Sequence, residues 1–414
     1  MHGKLAVGCM LVVIASACAH PAPSLLPAPV ATAPGVDVLL TDSLGVVRGR
    51  RVGLVTNQAG VDARGQGDVQ RLRAAGIDVV ALFSPEHGFR GTAAPGAAVA
   101  SGIDSATALP IYSLYGPTRV PSVQMLSGLD VILVDLQDAG ARYYTYLATT
   151  VDVMRGAARA HKPVVVLDRP DPSGGAWQGN VLDTAFASDG GLLAIPMRHG
   201  MTLGELARLA RSDLHLDADL AVIPVRGWHR DESFDTTGLP FVAPSPNLPT
   251  LESLFHYPGL CLFEGTDLSV GRGSDAPFEQ VGAPWLDTAR VLVRLRAARL
   301  PGVAFRGVTF TPVRPGDGKY PDTVVRGIRL TVTDRYTYDP TVTAVQLLAT
   351  IRSVHPREFA FLDAQFDRLA GGRVLREALQ RGQAPARIVK GWAAARQAFL
   401  ERRAPFLLYP GPAH

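Results

Sequence analysis

Short apolar runs alternate with stretches of helical spacing through the first half of the chain. Val52-Gly53-Leu54-Val55, Ile77 to Leu82, Val131 to Val134 and Val164 to Leu167 are apolar almost throughout. Between them, Asp68 to Ala75 and about Tyr143 to Ala160 have helical periodicity. Strands that are apolar on both faces and alternate with amphipathic helices predict a parallel sheet covered on each side. Val36 to Leu40, Ala221 to Val225 and Leu260 to Phe263 read as further short strands. Thr202 is expected to cap a helix through Leu206 and Leu209, with Glu205 completing a capping box. From Phe241 to Pro249 the proline density permits neither helix nor central strand, so a rigid loop is expected. Beyond Trp285 the pattern changes to an arginine-bearing helix (Arg290, Arg294, Arg296, Arg299), strands near Val308 to Val313 and Ile328 to Thr333, and then mostly helix. The predicted class is α/β, with a main parallel-sheet domain over 36–275 and a smaller α/β domain over 276–414.

The polar residues that follow the strands carry the candidate chemistry. Asn57, Glu86, Asp135 to Asp138, Asp168-Arg169 and Glu264 to Asp267 each stand directly after an apolar run. In a parallel sheet such tips emerge on one edge, where ligands bind in open α/β folds. Glu86 lies between a strand-ending proline and glycine, in Ser84-Pro85-Glu86-His87-Gly88, a poor setting for a helix or core residue. The competing reading is a loop carboxylate paired with Arg90. Two carboxyl groups in different surroundings are the usual equipment for cleaving a glycosidic bond. Arg142, Arg169 and Arg272 are candidates to grip an anionic part of a substrate, and Tyr143, Tyr144 and Tyr146 to stack on a sugar ring or to pack.

Other chemistries lack their signs. There is no HExxH, no phosphate-binding Walker loop, no GxGxxG after the first strand and no GxSxG elbow. No cofactor and no metal are therefore expected.

Composition narrows the picture further. Of 414 residues, 47% are hydrophobic and 19% charged, which excludes general disorder. The formal charge of +4 is small, and no basic run points to nucleic acid. Met1 to Lys4 is a short basic start, and Leu5 to Ala17 is an apolar stretch too short to span a membrane comfortably, so residues 1–18 read as an export signal. Its end, Ile14-Ala15-Ser16-Ala17-Cys18, fits either cleavage after small residues or lipidation of Cys18. The Pro/Ala-rich stretch within 19–35 would then serve as a tether. The expected location is the periplasm or cell envelope. Only Cys261 remains in the folded body, within an apolar run that suits buried packing better than nucleophilic chemistry.

Eight strings carry a family resemblance. VGLVTNQAG (52–60), FSPEHGFRG (83–91), DLQDAGARYYTY (135–146), LDRPDPSGG (167–175), RHGMTLGEL (198–206), PSPNLPTL (244–251), EGTDLSVGRG (264–273) and PFEQVGAPW (277–285) resemble the exo-β-N-acetylmuramidases of the NamZ type, glycoside hydrolase family 171. The resemblance implies a Rossmann-like domain joined to a smaller α/β domain, with the site in the cleft between them. It also implies hydrolysis of a terminal, non-reducing N-acetylmuramic acid from peptidoglycan fragments. The catalytic glutamate of such enzymes corresponds to Glu86. For the second group, Glu264, Asp135, Asp138 and His87 are candidates, or the sugar's own acetamido group takes part. The lactyl carboxylate needs a cation, for which Arg142 or Arg169 is proposed. Asn57, Arg90, Asp135, Tyr143, Asp168, Asn247, Asp267 and Arg272 complete the candidate substrate contacts. Val270 stands where many such enzymes have glutamate. The expected partners are peptidoglycan fragments, with membrane contact only through a lipid on Cys18. The alternative is an envelope lipoprotein that binds muropeptides without cutting them.

Overall fold

The computed structural model of the chain describes residues 1–3, 5, 8 and 30–411. Most of the expected signal (1–18), its Cys18 included, and all of the tether except its last residues lie outside them. By its contacts the chain divides into Met1–Val30 and Ala31–His414. The second unit carries all that follows.

In chain order its strands are β1 (Arg51–Thr56), β2 (Asp78–Ser84), β3 (Gly102–Ile103), β4 (Pro110–Ser113), β5 (Val131–Asp135), β6 (Val164–Leu167), β7 (Gln178–Val181), β8 (Pro196–Arg198), β9 (Leu220–Ile223), β10 (Gln280–Ala283), β11 (Val303–Phe310) and β12 (Val325–Val332). Among the described residues, seven strands form one sheet in the order β3-β4-β2-β1-β5-β6-β9. All neighbours are parallel except the short edge pair β3 and β4. From β1 the chain steps outward through β2 and β4, then returns to the other side of β1 for β5, β6 and β9. This is the doubly wound order, and its reversal point lies between β1 and β5, where open sheets form a crevice at their carboxyl ends.

The apolar runs are explained by burial on both faces. Val52 and Leu54 of β1 pack in one core layer with Val131 and Leu133 of β5, while Val55 enters the opposite layer with Ile132 and Val134. Successive side chains of a strand point to opposite faces, so each run must be apolar throughout. The helix Tyr146–Arg159 covers one face with eleven buried residues. The helix Leu203–Asp213 carries the expected capping box between Thr202 and Glu205.

β10, β12 and β11 form an antiparallel sheet in that order. Its Val281, Ala283, Ile328 and Leu330 belong to the same continuous core as Val134 and the helix residues Val345 and Leu348.

Two expected strands are helical. Val36 to Leu40 lies in the helix Gly35–Asp42, where Val36 and Leu39, three apart, are both fully buried. Pro34 leads into it, and Gly35 meets the backbone at Asp168 so closely that a β-carbon would lie 2.6 Å from the Leu167 carbonyl carbon. Leu260 ends the helix Leu251–Leu260, and Cys261–Gly265 continues as a 3-10 turn. This segment is apolar because it is buried from all sides, a pattern a short run shares between helix and strand.

Candidate active site

β2 ends at Ser84, and Pro85 turns the chain. His87 (φ 68°) and Gly88 (φ 76°) are both left-handed, which folds the following loop back on itself. The His87 ring helps hold that loop: Nδ1 lies 2.9 Å from the Ala93 carbonyl, and the side chain is buried. Glu86 is thereby presented at the sheet edge, half-buried, with donors around it. Oε1 accepts from the Gly96 N–H at 3.0 Å and Oε2 from the Thr145 hydroxyl at 2.7 Å. The Tyr115 hydroxyl also hydrogen-bonds Glu86; burial first, and then that carboxylate, push the phenol up to about 12. Arg90, the competing partner, bonds Asp104 at 2.7 Å.

The tip of β1 forms the adjoining wall. Asn57 donates to the Tyr146 hydroxyl at 2.6 Å, and Tyr146 and Tyr144 donate to the Pro244 carbonyl at 3.0 and 2.8 Å. Gln58 donates to the Ala243 carbonyl at 2.8 Å. The proline-rich loop is thus fastened across the carboxyl end of the sheet. Asn247 is half-buried in that loop, its own N–H directed at Ser245 Oγ. A cavity of about 220 Å³ opens beside this wall, lined by Asn57, Gln58, Phe89 and Arg90 among others.

A third segment reaches the rim from the other sheet's connections. The loop after β11 approaches the roof of Glu86, where a β-carbon on Gly316 would stand 3.8 Å from Pro95. The same loop packs on Gly273, the residue after Arg272, with the Val313 N–H donating to the Gly273 carbonyl at 2.8 Å. Arg272 donates through Nε to Glu264 at 2.6 Å and lies 5.0 Å from the Phe278 ring centroid. Lys319 Nζ donates to the carbonyls of Phe263, Glu264 and Leu268. Glu264 therefore does not extend from a strand of the parallel sheet, as expected; it stands on the 3-10 turn. Cys261 is buried with its Sγ 3.6 Å from Glu264, and burial pushes its thiol well up, consistent with packing.

Several expected substrate contacts are occupied internally. Arg142 is buried and donates to the carbonyls of Asn180 (2.7 Å), Ile195 (3.3 Å) and Leu369 (2.9 Å), so its guanidinium ties three chain segments together. Arg169 pairs with Asp135 and donates to the Val61 carbonyl at 2.8 Å, all buried. Both guanidinium groups are thus buried and engaged within the protein. Asp168 accepts from Thr202 Oγ1 (2.6 Å), the Gly204 N–H (2.8 Å) and the Tyr409 hydroxyl. Burial raises its carboxyl to about 6 against those bonds. Tyr143 donates to the Pro258 carbonyl at 3.2 Å and is buried, as is Val270. Asp267 accepts from the Ala360 N–H at 3.1 Å.

Asp138 differs from these. One oxygen, Oδ2, accepts from the Gly140 N–H at 2.8 Å and lies 3.2 Å from Nε2 of His199. His199 in turn stands beside Asp171. Thr145, Tyr115, His199 and Asp171 were not among the expected site residues. Thr145, His199 and Asp171 sit inside the family-like strings, but β4, which delivers Tyr115, is too short to announce itself by pattern.

The comparisons with known proteins agree with one another. Residues 52–252 match the family model described as "Exo-beta-N-acetylmuramidase NamZ, N-terminal" and residues 255–409 the corresponding C-terminal model. A curated protein of Bacillus subtilis (strain 168), peptidoglycan beta-N-acetylmuramidase NamZ, is 42% identical over 378 residues, covering 91% of each chain. Two crystal structures of DUF1343 family proteins from Bacteroides fragilis NCTC 9343 are similar in fold. One has a TM-score of 0.82 at 30% identity over 91% of this chain and 99% of its own. The other has a TM-score of 0.76 at 29% identity over 92% and 99%.

Proposed function

The chain belongs to the NamZ family of exo-β-N-acetylmuramidases, and from that premise we propose that Glu86 passes the proton when it removes terminal N-acetylmuramic acid from peptidoglycan fragments. The protein is a glycosidase. The observation that supports Glu86 is its setting: a half-buried carboxylate at the carboxyl edge of the sheet, next to the reversal point, fixed by Gly96, Thr145 and Tyr115. Two of those partners are hydroxyls, which can turn to donate or accept and so serve both protonation states of a group that must give and regain a proton. Protonating the glycosidic oxygen as its bond to the anomeric carbon breaks is the step such a group performs.

Chromogenic β-N-acetylmuramic acid glycoside tests this directly. Wild type should release the leaving group, Glu86→Gln should not, and the β-N-acetylglucosamine analogue should be a poor substrate. Binding of the sugar by wild type without release would favour capture over hydrolysis.

Export belongs to the same reading. The basic start, the apolar stretch to Ala17 and the substrate's place in the cell wall support secretion, with Cys18 as the lipid-bearing residue. Incorporation of labelled palmitate, absent from Cys18→Ser, is the expected result; equal labelling of both would remove the anchor from the account.

A further inference from the structure

Behind the tip of β5 three buried titratable side chains from three segments stand in a row. His199, just after β8, is 1% exposed, with Nε2 3.2 Å from Asp138 Oδ2 and Nδ1 3.6 Å from Asp171 Oδ2. The Met201 N–H is directed at Nδ1 at 3.2 Å, so in the neutral ring Nδ1 accepts and Nε2–H donates to Asp138. Asp171 accepts at Oδ1 from the Ser173 N–H and hydroxyl, at 2.9 and 2.8 Å. Its Oδ2 is buried and has no hydrogen-bond partner among the described residues. An unmatched buried carboxylate oxygen is costly, and Nδ1 of His199, 3.6 Å away, can approach it as a donor once that nitrogen carries a proton. The row thus has a place for a second imidazole proton.

The groups facing the ring are Asp138 from the β5 tip, Asp171 from the β6 tip, the Met201 amide and Arg403 from the C-terminal helix. Burial, the largest influence, and Arg403 oppose a charge on the ring, but the two carboxylates outweigh them and hold the imidazole above its ordinary range. At the other end, Asp138 Oδ1 accepts from no described residue. Asp138 follows β5 and Glu86 follows β2, the two strands that flank β1, so both carboxyl groups stand at the carboxyl end of the sheet beside its reversal point.

We infer that Asp138 is the carboxylate that works opposite Glu86, and that His199 and Asp171 are positioning residues that fix its Oδ2 and leave Oδ1 for the substrate. The inference rests on the glycosidase reading above. As the glycosidic bond breaks, the Glu86 proton goes to the leaving oxygen and the electron pair of the bond goes with it. Positive charge gathers on the anomeric carbon and ring oxygen, and the Asp138 carboxyl group faces that charge. A carboxylate held by a backbone N–H and an imidazole needs no reorganisation at that moment.

Wild type, Glu86→Gln, Asp138→Asn, His199→Phe, His199→Gln and Asp171→Asn would be compared on the chromogenic muramic acid glycoside, each with a thermal melt. Asp138→Asn should lower kcat at least about 100-fold with KM changed only a few-fold. His199→Phe should lower kcat with KM changed only a few-fold, because Asp138 Oδ2 loses the imidazole that orients it. His199→Gln, whose amide can donate, should recover most of the loss. Asp171→Asn should lower kcat in the same way by less. Should His199→Phe fail to fold, the Asp138→Asn and His199→Gln results decide. Near-wild-type kcat in Asp138→Asn beside an inactive Glu86→Gln would overturn the inference and leave the glycosidase reading standing. His199 variants that lose only thermal stability, with kcat unchanged, would overturn the positioning role. No turnover by wild type would remove the reading itself, and this inference with it.

Discussion

The Thr145 hydroxyl donates to Oε2 of Glu86 at 2.7 Å, joining the start of the helix Tyr146–Arg159 to the turn after β2. The two residues are fifty-nine positions apart in sequence, and the contact fixes one oxygen of the proposed acid while Gly96 fixes the other. A hydrogen bond to a charged group contributes roughly 1.5–3 kcal/mol. Thr145→Val, which keeps the shape and removes the donor, should therefore lower kcat by about tenfold or more. Thr145→Ser should stay near wild type. Steady-state kinetics on the chromogenic glycoside check this, and a Val variant at full kcat would show that the contact does not serve the reaction.

Asp135 and Arg169 form a buried ion pair across adjacent strands, with Nη2 2.9 Å from Oδ2. Removing one member leaves the other charge buried without its partner, at a cost of about 3–5 kcal/mol. Asp135→Asn should lower the urea midpoint accordingly. A midpoint unchanged from wild type would mean that water reaches Arg169.

Asp168 makes stability depend on pH. Burial raises its carboxyl to about 6 from an ordinary value of 3.8, so the unfolded chain ionises first. Its contribution is then full below about pH 4 and is lost as pH rises through about 6; a difference of about two pH units corresponds to roughly 3 kcal/mol. Unfolding free energies measured from pH 4 to 7 should show this downward slope in wild type and a flatter profile in Asp168→Asn. Identical slopes would assign the dependence to other groups.

Gly140 holds the turn that carries Asp138. Its φ is 72°, and a β-carbon there would meet the Ser173 hydroxyl and stand 2.6 Å from Asp171 Oδ1. Gly140→Ala should cost at least about 1–2 kcal/mol from the left-handed backbone alone and should reduce kcat by displacing Asp171. Melting temperature and kcat measured together test both parts; a variant as stable and as active as wild type would contradict them.

The Cys261 thiol is buried and pushed well above its ordinary range. In protein lacking residues 1–18, a thiol-specific chromogenic reagent should react only after denaturant is added. Rapid reaction in the folded state would contradict its place in the core.

The sequence was most informative where the requirement is local or repetitive. Strands buried on both faces must be apolar throughout, so β1, β2, β5 and β6 were legible, and with them the polar residues at their tips. A proline before Glu86 and a glycine after His87 marked the turn that presents the carboxylate. The eight strings identified the family because they preserve those turns in order. Short apolar runs were ambiguous: Val36 to Leu40 and Leu260 to Phe263 are as consistent with a buried helix as with a strand, and only their neighbours select the helix.

Side-chain roles were the least legible part, because a residue type states what a group can do and not which groups surround it. Arg142 and Arg169 have the chemistry to bind an anion, yet carbonyls of Asn180, Ile195 and Leu369 claim one, and Asp135 and Val61 the other. Thr145 and Tyr115 became partners of Glu86 only through the packing of a helix and an edge strand against the end of β2. The sequence alone determined the alternation of strand and helix, the candidate glutamate and the family. The tertiary structure decided the strand order, which carboxylates are occupied, and that His199 stands between Asp138 and Asp171, because those depend on contacts between segments that no local pattern encodes.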